Sequence, residues 1–491
     1  MSVGTHPGTS ATATSTTTAT STLGELSTLE DACRAGIERA RATGRHALVS
    51  WSRPCALVDP FTTWAGARAL TGRSLYWRSA WDGSTVLAFG SAHDLRGSGA
   101  DRLTAVRAAW TDLLGETVSA GPGKGPLAVG GFAFGGGDGA SGVLPEALLW
   151  VPLVQLRCAT PGEAGAPDGP VTAELRLNAL VDGSDDPGLL ARTMTLRVER
   201  CLTAPEPGTP PSAPRARASV EFPPAGAWKD LVRRATDRMR TGDFEKVVLA
   251  RRLDVTADRE FDVPGAVRRM RDTYGGTTVF ALDHGDSAFV GATPEYLVRV
   301  DAREVRALGL AGTTPRGSTP AEDQAGADEL SGSAKLRHEH EVVVRMLSEA
   351  LAESCEQVTA AAEPEVLKLT HVQHLSTPVR GRLPEGSAEG VLDLAARLHP
   401  TPALGGHPRA EALEWLAGNE GFDRGWYAGG VGWADGRGDG QFAVAIRSAL
   451  VRGDTASLYA GCGLVADSDP EVEYAETCAK LRPMRAALGL D

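Results

Sequence analysis

Short apolar arms that fold back on themselves constrain this chain more than any other feature. Phe280-Ala281-Leu282 faces Ala288-Phe289-Val290-Gly291-Ala292 across His284-Gly285-Asp286. Near the C-terminus, residues 441–451 face 456–461 across Arg452-Gly453-Asp454-Thr455. Alternating apolar residues bounded by Gly-Asp turns predict antiparallel hairpins. Buried strands are predicted at Ala47-Leu48-Val49-Ser50-Trp51, at 127–134 and at Lys246-Val247-Val248-Leu249-Ala250-Arg251. Helical patterns occupy 26–42, 228–241 and 333–356. Strand runs interleaved with helices, without strict strand–helix–strand alternation, predict an α+β fold with large antiparallel sheets. No repeat of solenoid period is present.

The 491 residues suffice for a substantial core, and 42% hydrophobic with 23% charged residues is ordinary for a globular chain. Residues 9–22 are all Thr, Ser or Ala, so 1–25 reads as a disordered tail. Residues 26–202 read as an N-terminal α/β scaffold region. Segment 203–218, with Pro205, Pro207, Pro210, Pro211 and Pro214, reads as a linker or surface loop. Residues 225–488 carry the motifs discussed next. A net charge of −12 without a basic patch argues against nucleic acid. No apolar run approaches the roughly 18–20 residues of a membrane span. Seven scattered cysteines and no basic-then-apolar leader predict reduced thiols in the cytoplasm.

In the last helix Glu473, Glu476, Thr477 and Lys480 recur at intervals of three and four, which stacks two carboxylates and an ammonium on one face. A solvated charged face has the same pattern. The preceding 461–470 reads as a glycine-bearing turn whose N–H groups favour an anion at the helix start. Gly121-Pro122-Gly123-Lys124-Gly125 lacks the spacing of a phosphate loop and is read as an ordinary loop. Arg337-His338-Glu339-His340-Glu341 is not a zinc motif, because neighbouring helix positions point in different directions. One carboxylate from it, joined by Glu473 or Glu476, suits Mg²⁺, which prefers oxygen ligands and keeps waters and substrate oxygens.

Lys246 stands on an apolar strand, where burial disfavours an ammonium and equips the amine to accept a proton; a strand-edge lysine is the plain alternative. Glu295 follows a strand and the proline turn of Gly291-Ala292-Thr293-Pro294-Glu295, a position suited to a general acid or to a surface turn. Arg447 continues the apolar Phe442-Ala443-Val444-Ala445-Ile446 and calls for a carboxylate partner, from a ligand or from an internal Asp.

Taken in order, these segments resemble the chorismate-utilising enzymes, and isochorismate synthases in particular. The similarity runs from about residue 227 to the C-terminus. It includes Phe244-Glu245-Lys246, the segment ending at Glu295, Leu310-Ala311-Gly312-Thr313, Arg337 to Glu341, and His374-Leu375-Ser376-Thr377-Pro378. It continues through His399-Pro400-Thr401-Pro402-Ala403-Leu404-Gly405-Gly406, Phe422-Asp423-Arg424-Gly425-Trp426-Tyr427-Ala428-Gly429, and 461–480. The first two hundred residues resemble the family only through Gly130-Gly131-Phe132-Ala133-Phe134.

The resemblance implies two facing antiparallel sheets with helices outside, the site in the cleft, and a monomer acting on chorismate. It implies that Lys246 activates water, that Glu295 protonates the departing hydroxyl, and that Mg²⁺ sits on Glu339 and Glu476 with Glu473 nearby. Arg447 and Lys480 look like the anion pair, helped by backbone at Gly312 and Gly461 to Gly463. His374, Thr313, Ala403, Leu404 and Tyr427 would line the substrate. Anthranilate synthases resemble the chain but carry glutamine at the Lys246 position and take ammonia from a glutaminase; no amidotransferase partner is expected here. Aminodeoxychorismate synthases often place a nucleophilic lysine where Ala311 stands. Water therefore remains as nucleophile, adding at C2 with loss of the C4 hydroxyl. Salicylate synthase, which goes on to eliminate pyruvate, carries a threonine-containing segment in place of Pro402-Ala403-Leu404. A non-catalytic metabolite binder is the third alternative. Whether the product feeds menaquinone or a catechol siderophore is left open.

Overall fold

A computed structural model describes residues 15–57, 59–123, 125–136, 143–158, 171–205, 208, 212–368 and 372–490. Among these, the strands form one 13-stranded and one 10-stranded sheet. Every strand pair is antiparallel except Ala47–Leu57 with Thr117–Ala120. The two hairpins supply part of the larger sheet. Thr278–His284 and Ser287–Thr293 pair in register Leu282↔Phe289 around a tight Gly285-Asp286 turn, and Ser448–Arg452 pairs with Thr455–Leu464.

Neither side of the Pro-rich segment has a sheet of its own. In the larger sheet Thr278–His284 pairs with Arg73–Arg78, and in the smaller one Gly430–Asp435 pairs with Leu127–Phe132. Part of the Pro-rich segment, residues 206, 207 and 209–211, lies outside the described residues, and a strand, Ala216–Phe222, begins inside its predicted bounds. The predicted tail is shortened: helix Ser15–Thr43 starts well before residue 26, while 1–14 lie outside the described residues.

Period-two alternation decides which side chains meet between the sheets. Along Thr278–His284, Val279 and Ala281 face the outer helices, whereas Phe280 and Leu282 face inward with Trp77, Trp150, Phe289 and Trp426. These inward groups, all at most 2% exposed, weld the sheets over one part of their shared area.

Further along, the chain changes sheets. Strand Ser287–Thr293 of the larger sheet leads through Pro294-Glu295 into Tyr296–Asp301 of the smaller. Strand Gly440–Val444 of the smaller sheet leads through Ala445-Ile446-Arg447 into Ser448–Arg452 of the larger. The predicted single arm 441–451 is therefore two strands in two sheets. The two crossings lie side by side, since Val444 N–H donates to Glu295 O at 3.0 Å and Ala292 N–H donates to Arg447 O at 3.1 Å. A crossing peels two strands apart and opens the inter-sheet space, and Glu295 and Arg447 stand in that opening. All seven cysteines are free thiols, and no described helix is long and apolar enough to cross a membrane.

Candidate active site

The opening is a cavity of about 200 Å³, and all fifteen predicted site residues line it: Lys246, Glu295, Gly312, Thr313, Glu339, His374, Ala403, Leu404, Tyr427, Arg447, Gly461, Gly463, Glu473, Glu476 and Lys480. No described residue before Lys246 contributes to its wall.

Lys246 opens strand Lys246–Ala257 and is 7% exposed. Its Nζ pairs with Glu339 Oε1 at 2.7 Å. Space for the side chain comes from Gly463 on the adjacent strand, where a Cβ would fall 3.0 Å from Lys246 Cε and 3.5 Å from Nζ. The glycines at 461 and 463 thus belong to strand Thr455–Leu464 rather than to the predicted turn. The helix start is also not a free anion site. Asp469 Oδ1 accepts from the N–H groups of Glu471 and Val472, so the capping carboxylate occupies those donors.

Helix Ala334–Ala352 turns Glu339 to the cavity and sends its neighbours elsewhere: His340 meets Thr377 Oγ1 at 2.8 Å, and Arg337 meets Glu363. Helix Pro470–Leu488 presents Glu473, Glu476 and Lys480, with Lys480 Nζ held 2.5 Å from Glu476 Oε1 and 2.9 Å from Gly461 O. Thr477 leaves this group. It is fully buried and accepts from Arg251 Nε at 2.7 Å on another side of the helix. Burial and the neighbouring Glu476 charge push Glu473 above the usual carboxylate range, although Ser468 donates to it at 2.7 Å.

Glu295 is 7% exposed, and burial lifts its pKa from 4.5 to about 7 against the opposing pull of Arg447, Lys246 and Lys480. A carboxyl so placed keeps or yields a proton near neutrality. Arg447 adopts φ +50°, a left-handed conformation uncommon for a residue with a side chain. Among the described residues no carboxylate forms an ion pair with its guanidinium, so the internal partner considered from sequence is not found. Burial pulls its pKa down, with Tyr427, Glu476 and Glu295 acting the other way.

Opposite lies a bulge in strand Glu304–Pro315, where Gly312 has φ +72° and the register shifts between Ala311 and Thr313. His374 Nδ1 meets Thr313 Oγ1 at 3.0 Å and Gly312 O at 3.3 Å, while its buried Nε2 has no hydrogen-bond partner. Burial, with Arg447 and Lys480 nearby, lowers the His374 pKa to about 3, which keeps the ring neutral. Ala403 and Leu404 form an apolar wall. Sequence reasoning gave no role to Val248, Ser468 or Arg424 in the lining; Val248 had a usable signal, two residues after Lys246 on one face of a strand, and Arg424 stood only inside a family motif.

The chain is similar to known proteins over nearly its whole length. Residues 35–489 match the family described as chorismate binding enzyme. The salicylate biosynthesis isochorismate synthase of Pseudomonas aeruginosa is 36% identical over 481 residues, covering 96% of this chain and 98% of the relative. Isochorismate synthase MenF of Bacillus subtilis is 31% identical over 466 residues, covering 92% and 96%. In fold, the structure of MenF, the menaquinone-specific isochorismate synthase from Escherichia coli, superposes with a TM-score of 0.74 at 24% identity, covering 93% of this chain and 100% of that one. Anthranilate synthase component I from Streptococcus pneumoniae shares the fold at a TM-score of 0.66 and 21% identity, covering 82% and 92%. With a family match over nearly its whole length and full-length relatives above 30% identity, the chain belongs to the chorismate-binding enzymes.

Proposed function

We propose that the chain is an isochorismate synthase, adding water at C2 of chorismate and expelling the C4 hydroxyl. The observation that carries this reading is the placement of Lys246 and a proton-holding Glu295 in the wall of one cavity, with the Arg447 guanidinium in no direct ion pair among the described residues. Similarity to isochorismate synthases supports it.

In this scheme Arg447 and Lys480 take the substrate carboxylates, and the Ala403-Leu404 wall holds the ring. Glu339 fixes the position of Lys246 Nζ, which accepts a proton from the water attacking C2. Glu295 gives its proton to the C4 hydroxyl, which leaves as water while the ring double bonds shift. One water enters and one leaves, so no ammonia donor or glutaminase partner takes part.

The cavity charges bear on a metal. With Lys246 present as the free amine that the reaction needs and Glu295 protonated, Arg447 and Lys480 supply +2 and Glu339, Glu473 and Glu476 supply −3, while Arg424 is balanced by Glu420, so the sum is −1. A dicarboxylate substrate brings −2, which a divalent cation offsets. Among the described residues no three His, Cys, Asp or Glu groups converge closely enough to hold an ion by themselves. Mg²⁺ fits such a set, because it commonly takes one or two carboxylates and completes its shell with water and substrate oxygens. Glu339 and Glu476 would hold it, with Glu473 nearby, and bound there it would anchor and neutralise a ring carboxylate.

Product analysis after incubation with chorismate and Mg²⁺, without ammonia, tests the reading. Isochorismate is expected; salicylate with pyruvate would point to the elimination enzyme, and unchanged chorismate to a binder. EDTA should silence turnover and Mg²⁺ restore it, whereas activity persisting in chelator would contradict the metal assignment.

A further inference from the structure

Arg424 lines the cavity yet has almost no hydrogen-bonding capacity left for a ligand. Its Nε donates to Glu420 Oε2 at 2.7 Å, Nη2 to Glu420 Oε1 at 2.7 Å and to Val248 O at 2.6 Å, and Nη1 to Leu404 O at 3.0 Å. Four of the five guanidinium N–H donors are thereby used. Glu420 Oε1 also accepts from Ala250 N–H at 2.7 Å, and the ring of Phe134 lies 4.1 Å from the guanidinium carbon. The Arg424 and Glu420 side chains are 2% and 6% exposed, against 9% and 24% for Lys246 and Glu339.

A pair sealed this thoroughly is a poor device for stability alone, since desolvation consumes most of the attraction and apolar side chains of similar size commonly serve as well. What the pair does is brace two walls that the backbone already joins beside Leu404, where Val248 N–H donates to Gly405 O at 2.9 Å and Lys246 pairs with His407. Val248 and Lys246 project from the same face of one strand into the cavity, and Leu404 is the apolar ring wall. The planar fork of an arginine reaches both backbones at once, which an ammonium cannot do. We infer that Arg424, braced by Glu420, is a positioning residue that fixes the distance between the Leu404 ring wall and the strand bearing Lys246. The inference rests on the isochorismate synthase reading and adds to it a residue that acts on the chemistry without touching the ring.

The test is the steady-state kinetics of Arg424→Lys, Leu404→Ala and the double variant, with thermal unfolding measured on each. Arg424→Lys keeps the charge and loses the fork, so kcat should fall about 10- to 100-fold, in line with the cost of a small misplacement. KM for chorismate should stay within about threefold, because Arg447 and Lys480 are untouched and uniform binding is preserved. Adding Leu404→Ala should then cost far less than the product of the single effects, because both changes act through one wall. A folded Arg424→Lys with wild-type kcat, or losses that multiply independently, overturns the inference. Should Arg424→Lys fail to fold, Phe134→Leu, which removes the ring under the guanidinium and none of its hydrogen bonds, should give a smaller fall in kcat at constant KM. A lowered unfolding temperature with unchanged kcat per folded molecule in that variant would mark the pair as purely structural and overturn the inference. If the wild type makes no isochorismate, the functional reading fails instead, so the two failures are distinguishable.

Discussion

Between the sheets, one region is packed with Trp77, Trp150, Phe280, Phe289, Trp426 and Trp433, while another holds Lys246, Glu295, Glu339, Arg447, Glu473, Glu476 and Lys480 around open space. Both are bounded by the same two sheets. They differ in what the strands do. Where strands run on within their sheets, alternation places an apolar side chain inward at every second position, and the gap closes on aromatic rings. Where 294–295 and 445–447 step from one sheet to the other, the backbone turns charged side chains into the gap, and two lysine-bearing elements meet carboxylates there. The packed region stabilises the fold, and the open region holds groups that are costly to bury and serve the chemistry.

Three substitutions probe that division, taken from the largest expected effect to the smallest. Lys246→Ala should lower kcat by about 10³-fold or more, within the range for loss of a general base. Chorismate binding, measured by calorimetry, should stay within about tenfold; a near-normal rate would remove the base assignment. Trp77→Ala, in the packed region, should cost about 3–5 kcal/mol of stability through the cavity it leaves. Its effect on kcat/KM of the folded protein should be within about threefold, because distant sites behave independently. A large kinetic effect at unchanged stability would erase the contrast between the regions.

Glu295→Gln should do the reverse, slowing turnover while stabilising the fold at alkaline pH. The folded pKa of Glu295, about 7, lies above its ordinary 4.5. The folded state therefore binds the proton more tightly than the unfolded chain. The resulting cost is absent below about pH 4.5, grows as pH rises, and is complete above about 7. Glutamine escapes this cost, so the variant should gain roughly 1–3 kcal/mol over wild type at pH 8 and little at pH 4. An equal difference at both pH values would show that Glu295 is not held protonated by burial.

Much of this was legible before the structure. The Phe280 hairpin, the strand opened by Lys246 and the spacing of Glu473, Glu476 and Lys480 follow from local periodicity, and the structure keeps them. The crossing at Ala445-Ile446-Arg447 did not show, because both flanking strands are buried and the apolar pattern runs through the switch without a break. Gly461 and Gly463 suggested a turn, although their lack of a Cβ serves close approach. A Cβ on Gly461 would lie 3.1 Å from Leu249 O and from the Tyr427 hydroxyl, and one on Gly463 would crowd Lys246. Periodicity does not say whether a glycine bends the chain or clears space for a neighbour. Arg424 was visible only as part of a motif, since its contacts join strand and loop backbones 176 and 20 residues away.

In the proposed reaction Lys246 serves the water attacking C2 and Glu295 the hydroxyl leaving C4, and we place the two groups on opposite sides of one ring. A crystal structure of Lys246→Ala with chorismate and Mg²⁺ tests it most directly, because this variant should bind substrate without consuming it. The account predicts the Glu295 carboxyl about 3 Å from the C4 hydroxyl, with the space vacated at residue 246 facing C2 on the other side of the ring at a distance one water spans. A ring with both positions on the same side, or chorismate seated away from either residue, would contradict it.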